Sequence, residues 1–458
     1  MSLPLVLAVV ASVAASPPRT LRLDYVHAGS ASEEHFALDG LALEGPWPGN
    51  LDRPLDDTNL GLYFFEVIDR STNRTLYSRG FASHYGEWKT TGEAKRIARS
   101  FHESLRFPEP AGPVQVVLKQ RDTQGLFREA WSVAVDPSDP AIDRTPPVGR
   151  PWAVLENGPP ADKVDLLLLG DGYTAAEMGK WHADAKRLAD LLFAVSPFKE
   201  RKADFNVWAL DTPSDESGVA RPSDAVHRHS ALRASYDAFG SERYVLAFDN
   251  KRVREAAAAA PHDALEIVVN GRTYGGGGIF NLYATVASDN AFTPYIFVHE
   301  FAHHFAGLAD EYYTSDVAYA EAKARSEPWE VNVTADPRSP KWKDLLTAGV
   351  PLPTPWPKQE FEAAQQQVQA RRRKIRAEKR PEEEMEALFR EEQASVDALL
   401  ASGPHAAAVG AFEGAMYQAK GYYRAQANCI MFTRYGAFCP VCRRGIERVI
   451  DLVSRRRP

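Results

Sequence analysis

The chain has 458 residues, with 54 Lys+Arg against 61 Asp+Glu and a net charge of −7. At 44 % hydrophobic and 25 % charged it has the composition of a folded globular protein, long enough for two or three domains. The acidic balance argues against a nucleic-acid binder, and three cysteines without a short repeat exclude a disulfide scaffold or fibrous fold.

Residues 3–15, LPLVLAVVASVAA, form an apolar run closed by small residues. The pattern matches a secretory signal cut after Ala15, which predicts a secreted, periplasmic or cell-surface location. The run is too short to span a bilayer, so no stable membrane insertion is expected after cleavage. Residues 20–136 read as β-rich, with LRLDYVHAG, LGLYFFEVIDR and VQVVLK as short β-branched or aromatic runs. They predict a β-sandwich-like accessory domain containing one helix, KTTGEAKRIARSFHESL at 89–105.

Seven prolines at 137–160 predict a linker. Residues 161–458 then alternate strand and helix patterns, an α/β or α+β organisation. VDLLLL reads as a strand buried on both faces, and FNVWAL, RYVLAF and ALEIVVN as further strands. Gly170-Asp171-Gly172 lacks the spacing of a nucleotide loop and reads as a turn. Thr174 and Glu177 make a capping box that opens a helix. The charge island 358–402 reads as a solvated helical hairpin, with Pro381 opening its second arm.

The segment carrying chemistry is TPYIFVHEFAHHFAGLADEYY at 293–313. Thr293 and Pro294 mark a helix start and Gly307 its stop. The helix is apolar nearly all round and so belongs in a core, where unpaired His299, Glu300 and His303 would cost several kcal/mol. His299 and His303, four apart, share one face and can bind one Zn²⁺, with Glu300 reaching the water to be activated. A third ligand is needed. Asp310, three beyond Gly307, is preferred by spacing, and Glu311 competes with it. His304 points off this face and reads as packing or support.

Met431 is a candidate for a methionine turn beneath the metal. Tyr423, Tyr435, Tyr312 and Tyr313 are candidate donors to an oxyanion, and Tyr423 is placed beside Glu300 in the catalytic set. Tyr274-Gly-Gly-Gly-Gly278 could admit an extended peptide at a sheet edge or form a plain turn. Asp215-Glu216-Ser217 could face the cleft. Cys429, Cys439 and Cys442 hold one CxxC without a second pair, and a disulfide from Cys429 to one of the later two is expected rather than a metal site.

Five segments together resemble the secreted bacterial zinc peptidases of the IgA-peptidase metallopeptidase family: LLLLGDGYTAAEM, FNVWALDTPSDESGV, HEFAHHFAGLADEYY, VGAFEGAMYQAKGYYRAQANCIMF and FCPVC. The resemblance implies a metzincin-like zinc endopeptidase acting on protein or peptide substrates. His299 and His303 match the metal histidines, Glu300 the acid/base and Met431 the turn, while Asp310 fits the third ligand. The rivals are a non-catalytic surface-binding protein with a retained structural zinc, and a metal hydrolase of non-peptide bonds.

Overall fold

Alternating burial decides the first hundred residues. In the computed structural model, which describes residues 17–315 and 326–455, the chain opens as β1 (Arg19–Gly29), β2 (Glu34–Pro46), β3 (Tyr63–Asp69), β4 (Thr75–Phe81), α1 (His84–Trp88), β5 (Arg99–Pro108), β6 (Val114–Arg121) and β7 (Phe127–Val135). The apolar run 3–15 lies outside the described residues. Two antiparallel sheets form, ordered β2-β1-β5 and β4-β3-β6-β7. Leu21, Leu23, Tyr25, Phe65, Val67, Phe107 and Leu118 share one core cluster drawn from both sheets.

The helix expected at 89–105 does not form. Phe101, Glu103, Leu105 and Phe107 are buried at every second position, and β5 pairs with β1 along its whole length. That period of two, with a partner strand beside it, overrides the helix-forming composition of the segment.

The Pro-rich stretch is also not all linker, since β8 (Trp152–Leu155) pairs antiparallel with β10 (Phe205–Leu210). Between them run β9 (Val164–Asp171), buried at every position, and α2 (Met178–Leu192), which follows the expected capping box at Thr174 and Glu177. Next come β11 (Ala234–Ser235), β12 (Leu246–Ala247), α3 (Asn250–Ala257), β13 (Ala264–Val269), β14 (Gly276–Ile279) and β15 (Tyr283–Ala287). RYVLAF therefore yields only the two-residue β12. The main sheet has six strands, β14-β15-β13-β9-β10-β8, with the inner four parallel and both edges antiparallel. Asp171, the last residue of β9, accepts from the backbone N–H of Leu232 and Ala234 and from the Ser230 hydroxyl, which is a structural anchor.

The remaining elements are α4 (Thr293–Ala306), β16 (Val333–Thr334), α5 (Lys358–Ala377), α6 (Glu382–Ala401), β17 (Phe412–Ala415), β18 (Gln418–Arg424) and α7 (Pro440–Val453). Helix α4 packs on β14 and β15 and touches α2 and α7. Its Phe301 and Phe305 meet Phe198 and Phe205. The α5–α6 hairpin forms as expected but is not merely solvated. Phe389 packs on Tyr274 and Phe292, and Glu382 and Glu386 accept backbone N–H bonds from Tyr274 and Ala291. The hairpin thus fixes the chain just before α4. Among the described residues no helix is long and apolar enough to cross a membrane.

Candidate functional site

Helix α4 begins one residue earlier than the sequence suggested. Thr293 is its first residue rather than its cap, and its hydroxyl donates to the Ala287 carbonyl at 2.7 Å. Gly307 ends the helix with φ +58°. A β-carbon there would come within 2.7 Å of the Trp329 ring, so only glycine suits both the conformation and the packing. The left-handed turn sends the chain back along the helix and brings Asp310 to its histidines.

His299 Nε2 and His303 Nε2 are 3.1 Å apart, and each is 3.1 Å from Asp310 Oδ1. The other ring nitrogens face carbonyls: His299 Nδ1 donates to Ile430 O at 2.9 Å and His303 Nδ1 to Leu308 O at 2.5 Å. A carbonyl only accepts, so Nδ1 carries the proton in both rings and both Nε2 atoms aim toward one point. Three ligand atoms at about 2.0–2.1 Å from a tetrahedral ion would lie about 3.3 Å apart, close to what is seen. The donor set, two imidazoles and a carboxylate, fits zinc and leaves one position open.

Burial disfavours an imidazolium at His303, but the Asp310 carboxylate outweighs it and lifts the pKa to about 9. Burial likewise pushes Asp310 up, while His303 and His299 pull it well below the usual carboxylate range. Glu300 is raised mainly by burial, with the histidines opposing. Behind it Glu266 is fully buried, its carboxyl driven well up by burial and by Glu300.

Glu300, His303 and Asp310 line a cleft of about 670 Å³. Its walls include Gly276 and Gly278 of β14, Tyr312, Trp329 and Tyr417, together with Leu62, Glu87 and Thr90 from the N-terminal part of the chain. Strand β14, with three of the four glycines, is the sheet edge, but at Gly276 its outer side is already bonded to Arg243 and Val245. The glycines also let α4 approach, since a β-carbon at Gly278 would lie 2.3 Å from the Glu300 carbonyl.

Glu311 turns away from the histidines, and its Oε1 accepts from Asn332 Nδ2 at 3.0 Å. Met431 is fully buried in a turn where Phe432 N–H and Thr433 N–H donate to Cys429 O. Its own carbonyl accepts Glu311 N–H at 2.8 Å. His304 is a packing residue: its Nε2 accepts Leu265 N–H and its Nδ1 donates to Ile279 O. Tyr423 is not among the residues lining the cleft, whereas its neighbour Tyr422 is, as strand alternation requires. Glu216 and Ser217 bond instead to His229 and Glu177.

Sequence reasoning missed Tyr417 and Arg243. The Tyr417 hydroxyl donates to Asp310 Oδ2. Tyr417 sits with Met416 at the tip of the β17–β18 hairpin, both at positive φ, 50° and 62°. Arg243 donates to the Tyr312 hydroxyl at 3.0 Å. All three cysteines are buried free thiols, so the expected disulfide is absent.

The sequence model of the family described as IgA Peptidase M64 matches residues 153–450, and that described as Peptidase M64 N-terminus matches residues 14–132. No curated protein matches the chain.

Proposed function

The chain belongs to the IgA Peptidase M64 family, and from that premise we propose that it is a zinc-dependent, metzincin-like endopeptidase cleaving extracellular or periplasmic proteins. The observation that carries the reading is the convergence of His299 Nε2, His303 Nε2 and Asp310 Oδ1 beside Glu300 in an open cleft.

Zinc held by these three side chains would polarise the scissile carbonyl and acidify the attacking water. The Ile430 and Leu308 carbonyls keep both imidazoles in the Nδ1–H tautomer, and Tyr417 fixes the Asp310 carboxylate through Oδ2. Glu300 takes a proton from the water at a carboxylate oxygen and hands it to the leaving amine nitrogen. Arg243 donates to Tyr312 Oη, leaving the phenol proton available to the charge growing on the carbonyl oxygen. Tyr312 therefore replaces Tyr423 in the donor role. Met431, which follows the Ile430 carbonyl that orients His299, serves as the methionine turn.

The N-terminal part of the chain, read as a β-sandwich-like accessory unit, lines the cleft with Leu62, Glu87 and Thr90 and so takes a share in its selectivity. Export rests on the apolar run 3–15. A closed pocket would favour a small-molecule hydrolase, and this cleft is open between two parts of the chain. Casein hydrolysis by the purified protein tests the reading. Activity is expected to vanish with a zinc chelator and return with added zinc; activity indifferent to both would overturn it.

A further inference from the structure

A second cluster lies directly behind the first. Cys429, Cys439, Cys442 and Glu311 are all 1 % exposed or less, and their ligand atoms all lie within 4.8 Å of one another. Cys429 Sγ is 3.7 Å from Cys442 Sγ, and Cys442 Sγ is 3.4 Å from Glu311 Oε1. A disulfide would need about 2.05 Å between sulfurs. Zinc at about 2.3 Å from sulfur and 2.0 Å from oxygen, with tetrahedral angles, requires about 3.8 Å between sulfurs and about 3.5 Å between sulfur and oxygen. The observed spacings are those of ligands around an ion.

Two further features point the same way. Glu311 Oε2 is buried without any hydrogen-bond partner, which a fully desolvated carboxylate does not tolerate unless something else compensates it. The sulfurs are also set up as acceptors: Cys439 N–H donates to Cys429 Sγ at 3.3 Å and Cys442 N–H to Cys439 Sγ at 3.4 Å, with Cys439 capping α7. Donors of this kind stabilise thiolates.

We propose that Cys429, Cys439, Cys442 and Glu311 form a second, structural zinc site of closed four-ligand type. On binding, each thiol gives its proton to solvent and its sulfur lone pair to the ion, with no change of oxidation state. The site ties together three stretches of chain that the cleft depends on. Glu311 follows Asp310, Cys429 precedes the Ile430 carbonyl that orients His299, and Cys439 and Cys442 begin α7, which packs on α4. The lone CxxC gains its missing partners only through the fold, from residues 10 and 131 positions away.

The test is zinc content of the full chain under reducing, metal-replete conditions. About two equivalents are expected in the wild type, falling to about one in His299→Ala/His303→Ala. A mercurial that caps thiols should release that remaining equivalent as the three sulfurs react. After replacement of the remaining ion by cobalt, the same variant should show thiolate-to-cobalt charge-transfer absorption, lost in Cys442→Ser. Should the cysteine variant fail to fold, the mercurial titration of the histidine variant and of the wild type decides alone. One equivalent in the wild type that disappears with the histidines, or a Cys429 disulfide found by non-reducing peptide mapping, overturns the proposal.

Discussion

Asp310 uses its two carboxylate oxygens differently: Oδ1 faces the histidines while Oδ2 accepts the Tyr417 hydroxyl. Tyr417→Phe should therefore weaken zinc binding by about 10- to 100-fold, read by competition with a chromogenic chelator, because outer-shell partners hold ligands in place. Tyr312→Phe should act on chemistry instead. It should lower kcat by about 10²-fold on a peptide substrate with KM little changed, while Tyr423→Phe leaves both near wild type. His299, Glu300 and His303 were legible in the sequence because one helix fixes their spacing. Asp310 was legible through Gly307, whose αL turn sets the return of the chain. Tyr417 was not, because the Met416–Tyr417 turn has positive φ at both positions without the Asn-Gly signature that announces it. Arg243 was out of reach for another reason: it meets Tyr312 from 69 residues away.

At the scale of elements, the site depends on how α4 ends and what it lies against. Gly307→Ala forces a β-carbon into the left-handed region, at about 1–2 kcal/mol, and against Trp329 at 2.7 Å. A lower urea midpoint, with reduced activity from displaced Trp329 and Asp310, is the expected result; an unchanged midpoint would refute this role for the turn. The parallel strands were readable because continuous apolar runs such as β9 are buried on both faces. Strand β5 was misread since its inner positions include Glu103, whose carboxylate is buried by bonds to Tyr25 and His27. A charged residue on the inward face disguises the period of two. The hairpin 358–402 was legible in its helices and not in its contacts, because Phe389 finds Tyr274 and Phe292 only after folding.

For the whole molecule, the junction between the N-terminal sheets and the main sheet carries buried charge. Arg106 donates to the His262 carbonyl, and next to it Asp263 Oδ2 accepts Asp165 N–H at 2.9 Å. Burial, and then Asp165, lifts Asp263 to about 8, and burial lifts Asp165 to about 6. Both carboxyls titrate higher folded than unfolded, so their contribution is fully present below about pH 4 and is lost as pH rises through about 8. Asp263→Asn should remove most of that loss. Its melting temperature should exceed wild type at pH 8 and converge with it near pH 4.5; a variant less stable at pH 8 would show that the carboxylate is needed in its charged form. The β-rich pattern of the early chain was visible in its short β-branched and aromatic runs, but its part in the cleft was not, since Leu62 and Glu87 carry no mark of a site.

The most direct test of the central claim is a paired measurement on Glu300→Gln: zinc content and rate of peptide hydrolysis on the same preparation. Glutamine keeps the size of the side chain and cannot take the proton. The account predicts zinc content equal to wild type with hydrolysis reduced by at least about 10²-fold. Hydrolysis persisting near the wild-type rate with zinc in place would contradict it.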